Sequence, residues 1–241
     1  GTYKPLYSAR EGANFASETK DNAFLMVNNV QLYGGFAATE TTLADRDLSL
    51  TVNKTTLSGD IGALNDNTDN ANNVVVSSGA VGSARLDGFT VSDGSANDSR
   101  SFSINDTDIR RFVGGGMFNR NSSPTITNIT FIGNRAKYYG GGMFNLNSSP
   151  TITNTTFISN SAISTNGKGG GMFNNNGSSS TITNTTFSGN TATDGSDMFN
   201  QDNSNPIVNN TIITGTVIND NATPVYKNSI IADKRYDNDG N

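Results

Sequence analysis

Apolar and polar positions alternate along this chain in short runs, and the runs come in pairs. In SPTITNITFIGN, Ser123–Asn134, Ile126 stands between two threonines and Phe131 follows a third. That period of two predicts short strands. The run returns as SPTITNTTFISN at Ser149–Asn160 and as STITNTTFSGN at Ser180–Asn190. NPIVNNTIITG at Asn205–Gly215 is a worn copy, and ARLDGFTVSDG at Ala84–Gly94 and PVYKNSIIADK at Pro224–Lys234 are more distant ones. Between the runs lies GGGMFN, at Gly114–Asn119, Gly140–Asn145 and Gly169–Asn174, with a worn GSDMFN at Gly195–Asn200. Met117, Met143, Met172 and Met198 are spaced 26, 29 and 26 residues apart.

Repetition at this period predicts a solenoid in which each repeat buries its apolar side against its neighbours. Ankyrin and tetratricopeptide repeats are excluded, because the windows of good helix formers they need are missing. Short strands turning at Gly, Asn and Ser predict an all-β fold, a parallel β-helix whose coils stack about 4.8 Å apart. At about 26 residues per coil the chain makes roughly nine coils. Stacking should place Ile126, Ile152 and Ile182 above one another, pointing inward. The same is expected of Phe131, Phe157 and Phe187, and of Phe118, Phe144, Phe173 and Phe199. Asn128, Asn154 and Asn184 should form an amide ladder at a corner, and Asn134, Asn160 and Asn190 a second. The glycines of GGGMFN allow a tight turn and a close approach of coils, after which Met and Phe re-enter the core and Asn closes the corner. A phosphate-binding loop would require a following helix, and none is predicted.

The spacing of 29 arises in the turn-rich segment SAISTNGK, so the coils keep their strands and vary their loops. The N-terminal third is less regular. Ala23–Tyr33 predicts two strands meeting at Asn28-Asn29, and Lys54–Ile61 and Asn73–Ser77 predict further ones. Thr39–Leu50 holds a candidate helical turn, and Ala63–Asn72 an Asn/Asp-rich loop. The expected organisation is one β-helical domain over 1–241. It has irregular coils over 1–83 and regular repeats over 84–234, with a loop insertion at 93–113. The chain is expected to be a monomeric piece of a longer protein.

Composition narrows the chemistry. The 241 residues include no Cys, His or Trp. Disulfides, Cys- or His-based zinc sites, Ser-His-Asp triads and Cys proteases are therefore excluded. A net charge of −5 argues against a nucleic-acid partner. No apolar run is long enough to span a membrane, so no membrane insertion is expected. The first residues lack the basic and apolar regions of a signal peptide. The Asn/Thr/Gly-rich acidic surface without cysteine suits a secreted bacterial protein.

GGGMFN followed by FIGN, FISN and FSGN resembles the GGxI-plus-FxxN repeats of chlamydial polymorphic outer membrane proteins, which are autotransported β-helical adhesins. GTYKP, LYGGFAATETTLADRD and TTLSGDI resemble the opening of bacterial right-handed parallel β-helix surface proteins of the pectin-lyase-like fold. Together the resemblances cover most of the chain. They imply a cell-surface or secreted, outer-membrane-associated location and an extracellular glycan or a host or neighbour-cell protein as partner. The sequence departs from the polymorphic proteins in having no cysteine, and no autotransporter barrel falls within it.

The pectin-lyase-like resemblance also implies a test for polysaccharide lyase or glycoside hydrolase activity. A hydrolase needs two carboxylates flanking a bond, and a lyase of this fold resembles a calcium site of acidic residues beside an Arg or Lys base. Asp87 lies on a coil. The largest break in the repeats, Asp93–Arg111, carries Asp93, Asp98, Asp106, Asp108, Arg100, Arg110 and Arg111. Long loops on rigid scaffolds often carry function, although mixed charge without a spacing rule also fits a solvated loop. The repeats themselves present Thr and Asn, which are neither acids nor bases at neutral pH. Arg135–Tyr139, RAKYY, is a second break, and Tyr138 and Tyr139 are candidates for stacking on a sugar or anchoring a protein.

The candidate ligand-binding residues are thus Asp106, Asp108, Arg110, Arg111, Arg135, Tyr138 and Tyr139. No cofactor is assigned. TDNANN and YDNDGN offer oxygen ligands for Ca2+, but neither completes a calcium-binding loop. Thr125/Thr127, Thr151/Thr153 and Thr181/Thr183 form a small TxT array similar to ice-binding solenoid faces, and Thr is also a good outward strand residue. The Asn-x-Ser/Thr sequons arise from the coil's own pattern and are structural. The function expected is a non-catalytic surface scaffold or adhesin. The alternatives are a polysaccharide lyase, glycoside hydrolase or carbohydrate-binding module and, more distantly, ice binding.

Overall fold

Three columns of parallel strands wind into a β-helix in the computed structural model, which describes residues 1–9, 20–104 and 106–237. Each repeat contributes one strand to each column, as Met143–Leu146, Thr151–Thr153 and Thr156–Ile158 do in one coil. Identical residues meet across coils: Met117 pairs in register with Met143, Ile126 with Ile152, and Phe131 with Phe157. A side-chain period of two then sends the same residue type to the same side in every coil. Ile126, Ile152, Ile182, Phe131, Phe157 and Phe187 are all fully buried in one interior cluster with the four methionines. The rings of Phe157 and Phe187 stack at 4.6 Å, tilted by only 3°. Parallel sandwiches are not the preferred arrangement of free aromatics; here the coil spacing imposes them.

The column that begins at Gln31–Tyr33 stacks seven strands among the described residues, and the two columns that share the 14-stranded sheet stack eight each, close to the expected nine coils. The first coils carry long excursions. Tyr33 and Asp87 are neighbours in register although 54 residues separate them. At the other end the coils shorten. Ile212–Asp220 runs as one strand through a corner where earlier coils carry a loop, joining two columns into a single 14-stranded sheet. In the N-terminal third, Phe24–Leu25, Gln31–Tyr33, Thr55–Ser58 and Val75–Ser78 form the expected strands, and Leu43–Asp45 is a 3-10 turn.

Corners are made by single residues in the left-handed region. Asn128, Asn154, Asn184, Asn210 and Asn228 all have φ between 46° and 54°, a conformation that Asn tolerates better than most side chains. In GGGMFN the first glycine has positive φ, 63° at Gly140, and a Cβ there would lie 2.3 Å from the Met143 carbonyl oxygen. The third has a different reason, since a Cβ on Gly142 would lie 2.6 Å from the carbonyl of Gly171 in the next coil.

The MFN strand corrects the expected packing. Met faces the interior, but Phe118, Phe144, Phe173 and Phe199 belong to a second cluster on the opposite side of the strand. Alternation forces this: Met and Asn share one side, so Phe must take the other. The Asn therefore lies inside the coil instead of closing a corner. Asn119 donates to Asn145, Asn145 to Asn174, Asn174 to Asn200 and Asn200 to Asn219, each Nδ2 to Oδ1 at 2.8 Å. All five are fully buried.

This internal ladder gives a first prediction. Asn174→Ala strands the donor of Asn145 and the acceptor of Asn200, and should cost about 2–6 kcal/mol at roughly 1–3 kcal/mol per orphaned group. Thr153→Ala, on the outward side, should stay within about 0.5 kcal/mol. Denaturant unfolding of the two variants provides the comparison.

Candidate functional site

The outward phenylalanines would be a large apolar stripe on a rod, and the segments that break the repeat cover it. Ser101–Ile104 and Thr107–Arg110 form an antiparallel hairpin whose Phe102, Ile104 and Ile109 bury against the Phe ladder. Tyr139 stacks on Phe173 at 4.8 Å and on Phe144 at 6.5 Å. Tyr138 meets Phe112 edge-on at 5.8 Å, and the Lys168 ammonium sits 4.4 Å above the Phe199 ring. Both tyrosines are half-buried. They spend their ring faces on the protein's own second core.

The charged candidates are not gathered in one cleft. Arg111 is buried and forms a two-pronged pair with Asp21, Nε to Oδ1 at 2.6 Å and Nη2 to Oδ2 at 2.5 Å. Asp98 stands 3.9 Å from it, its carboxyl held down at about 2 by the hydrogen-bonded guanidinium of Arg100. Asp108 pairs with Arg120 at 3.2 Å and with Arg110 at 3.8 Å on the outside of the hairpin. Asp106 is exposed at the hairpin turn with φ 56°. Asp87 is not free to act as an acid. It accepts from Asn128 at 2.9 Å and pairs with Arg46 and Arg85 at 3.2 Å each.

Asp87 thereby explains how the corner ladder ends. Asn154 donates to Asn128, Asn128 donates to Asp87, and the chain of amides closes on a group that only accepts. The second ladder runs the opposite way and closes similarly. Asn134 donates to Asn160 and Asn160 to Asn190, each at 3.0 Å, and Asn190 donates to Asp197 Oδ1 at 2.8 Å. Asp197 stands where earlier copies have the third glycine, so the departure from GGG to GSD has a structural purpose. Its other oxygen accepts from the Gly215 amide at 2.6 Å. Burial pushes the Asp197 carboxyl upward against these hydrogen bonds.

Arg135 is the exception among the candidates. It is exposed, and its side chain makes no hydrogen bond or ion pair among the described residues. It lines a polar cavity of about 250 Å³ with Asp60, Asn70, Asp93 and Gly133. Sequence reasoning missed this cavity, because its walls come from the loop after Thr55–Ser58 and from two corners that are distant in sequence. Two other shallow cavities flank the asparagine corner, one reaching Phe89 and Asn128, the other Asn184, Asn210 and Asn228.

Compared with known proteins, the chain matches no family model, no curated protein and no solved structure.

Among the described residues no three Asp or Glu side chains come together as a metal cluster, and no helix is long and apolar enough to cross a membrane. In TDNANN, Asn70, Asn72 and Asn73 are buried. YDNDGN falls mostly outside the described residues. The TxT pairs align over three coils, then give way to Arg85 and Asp87 on one side and Ile207 and Asn209 on the other.

Two predictions follow from these placements. Arg111→Ala removes the two-pronged bond to Asp21 and should cost about 3–5 kcal/mol, while Arg110→Ala should cost less than about 1 kcal/mol; thermal unfolding separates them. Asp197 binds its proton more tightly folded than unfolded, so its contribution to stability falls as pH rises from 3.8 until the raised folded value is passed. Asp197→Asn removes that decline. It also turns a donor toward Asn190 or Gly215, costing about 1–3 kcal/mol at neutral pH. The difference between wild-type and variant unfolding free energies, followed from acid to neutral pH, checks the sign.

Proposed function

We propose that this chain is a non-catalytic β-helical scaffold of a bacterial cell-surface or secreted adhesin, holding glycan or protein ligands on its sides. The observation that carries this is the use made of the repeat-breaking segments. Their aromatics cover the outward Phe ladder, and most of their charges are tied into ion pairs, which suits a stiff rod better than a cleft. The repeat motifs are similar to those of polymorphic outer membrane adhesins and of pectin-lyase-like surface proteins, which supports the same reading.

A second reading, a polysaccharide lyase or hydrolase, is favoured by one observation only: Asp60 and Asp93 share a cavity with Arg135. Asp93 Oδ2 accepts from Ser58 at 2.9 Å and from Ser92 at 2.6 Å. Its carboxylate is thus held by the scaffold at one oxygen. Ice binding is not favoured, because the threonine array stops after three coils.

The test is a glycan and extracellular-matrix array on the protein, run beside a polysaccharide degradation screen. Retained ligand without new reducing ends or unsaturated products is the expected result. Degradation that disappears in Asp60→Asn or Asp93→Asn would establish the enzyme instead.

A further inference from the structure

The coil at the C-terminal end of the described rod, built of Val225–Lys227 and Ile230–Asp237, departs from the repeat in a specific way. Lys234, Arg235 and Tyr236 pair in register with Val217, Ile218 and Asn219. Those three pair in turn with Met198, Phe199 and Asn200. The positions that read MFN in four coils therefore read KRY in this one.

Strand alternation sets the direction of each side chain. Lys234 takes the place of the inward methionines, and its neighbour in register, Val217, is fully buried. The Lys234 ammonium lies 5.3 Å from the ring centre of Tyr226 and 5.2 Å from that of Tyr236, within reach of cation–π attraction. Tyr226 packs against the interior cluster and continues the column of Ile182 and Val208. The lysine is thus held across the end of the interior. Arg235 takes the place of the outward phenylalanines, and its guanidinium donates twice to Asp233 Oδ2, at 3.0 and 2.6 Å. The internal amide ladder stops here as well. Asn219 Nδ2 donates to the Arg235 carbonyl at 3.4 Å, since Tyr236 stands where a further asparagine would receive it.

The opposite end carries no such substitution among the described residues. Phe24 and Leu25 hold the Met and Phe positions of the first coil, and Leu32 holds the Ile position. Leu25 and Leu32 are each 36% exposed, so apolar side chains reach the surface there. A second copy stacked in continuing register would set Lys234 against Phe24, Arg235 against Leu25 and Tyr226 against Leu32. Burying two cations against apolar groups is costly. Open strand edges invite pairing with another chain, and charged side chains on the edge oppose it. End repeats of solenoids need a polar outer side for the same reason.

We infer that this coil is a built-in cap, in which Lys234 and Arg235 close the rod against end-to-end stacking with a second copy of the chain. The inference rests on the fold and is independent of the adhesin reading.

The experiment rewrites the cap as one more repeat, Lys234→Met/Arg235→Phe/Tyr236→Asn. Wild type and variant are compared by sedimentation velocity over a concentration series and by amide hydrogen exchange. The wild type should keep the mass of one chain, with exchange through 230–236 the same at every concentration. The triple variant should associate about tenfold more strongly or better, and its 230–236 amides should slow as concentration rises. Strand pairing protects those backbone amides, whereas a sticky side-chain patch does not. Lys234→Met alone should change in the same direction, and it decides the matter if the triple variant does not fold; Lys234→Arg should stay a single chain. A folded triple variant, or Lys234→Met in its place, that remains a single chain would overturn the inference. So would association that leaves 230–236 unprotected, or wild-type rods that already stack through 230–236.

Discussion

The asparagines stacked inside this rod find their partners one coil away. Asparagine suits this arrangement because its amide donates on one side and accepts on the other, so a column of asparagines in register satisfies itself. The internal ladder from Asn119 to Asn219 repeats one 2.8 Å bond four times. Fixed spacing makes every coil depend on its neighbours and ties the aromatic stacks to the same distance. An amide ladder still has a spare donor at one end. Asp87 and Asp197 end the two corner ladders, which explains acidic residues that would otherwise suggest chemistry.

The strand alternation that builds the interior also creates a difficulty outside it. Placing Met and Asn inward turns Phe outward, and four coils of outward Phe would be an exposed apolar stripe of the kind that causes association. The hairpin within Asp93–Arg111 and the Tyr138–Tyr139 loop cover this stripe. Function and stability therefore compete for the same segments. The cavities that remain open lie elsewhere: one beside Arg135 and two along the asparagine corner.

Much of the architecture was legible because the repeat writes each position several times. Ile126, Phe131, Asn128 and Asn134 could be placed from spacing alone, since a period of two and a period of 26 leave little freedom. Phe118 was misplaced because the pattern GGGMF does not say which side of the strand follows the glycines. Only pairing across coils settles it. The charged loop residues were legible as exceptions to the repeat, but not as partners. Arg111 finds Asp21 across 90 residues, and no local pattern announces such a pair. The same holds for the cavity, whose walls come from three separated segments.

Amide hydrogen exchange resolved by residue addresses the central claim, that the repeat-breaking segments are cover and not free display loops. The account predicts slow exchange at Ile109 and Phe102 in the hairpin and at Tyr138 and Gly140 around the tyrosines, comparable to Phe144 and Phe173 in the strands they cover. Exchange at open-chain rates through 101–110 and 136–140, with the strands still protected, would contradict it.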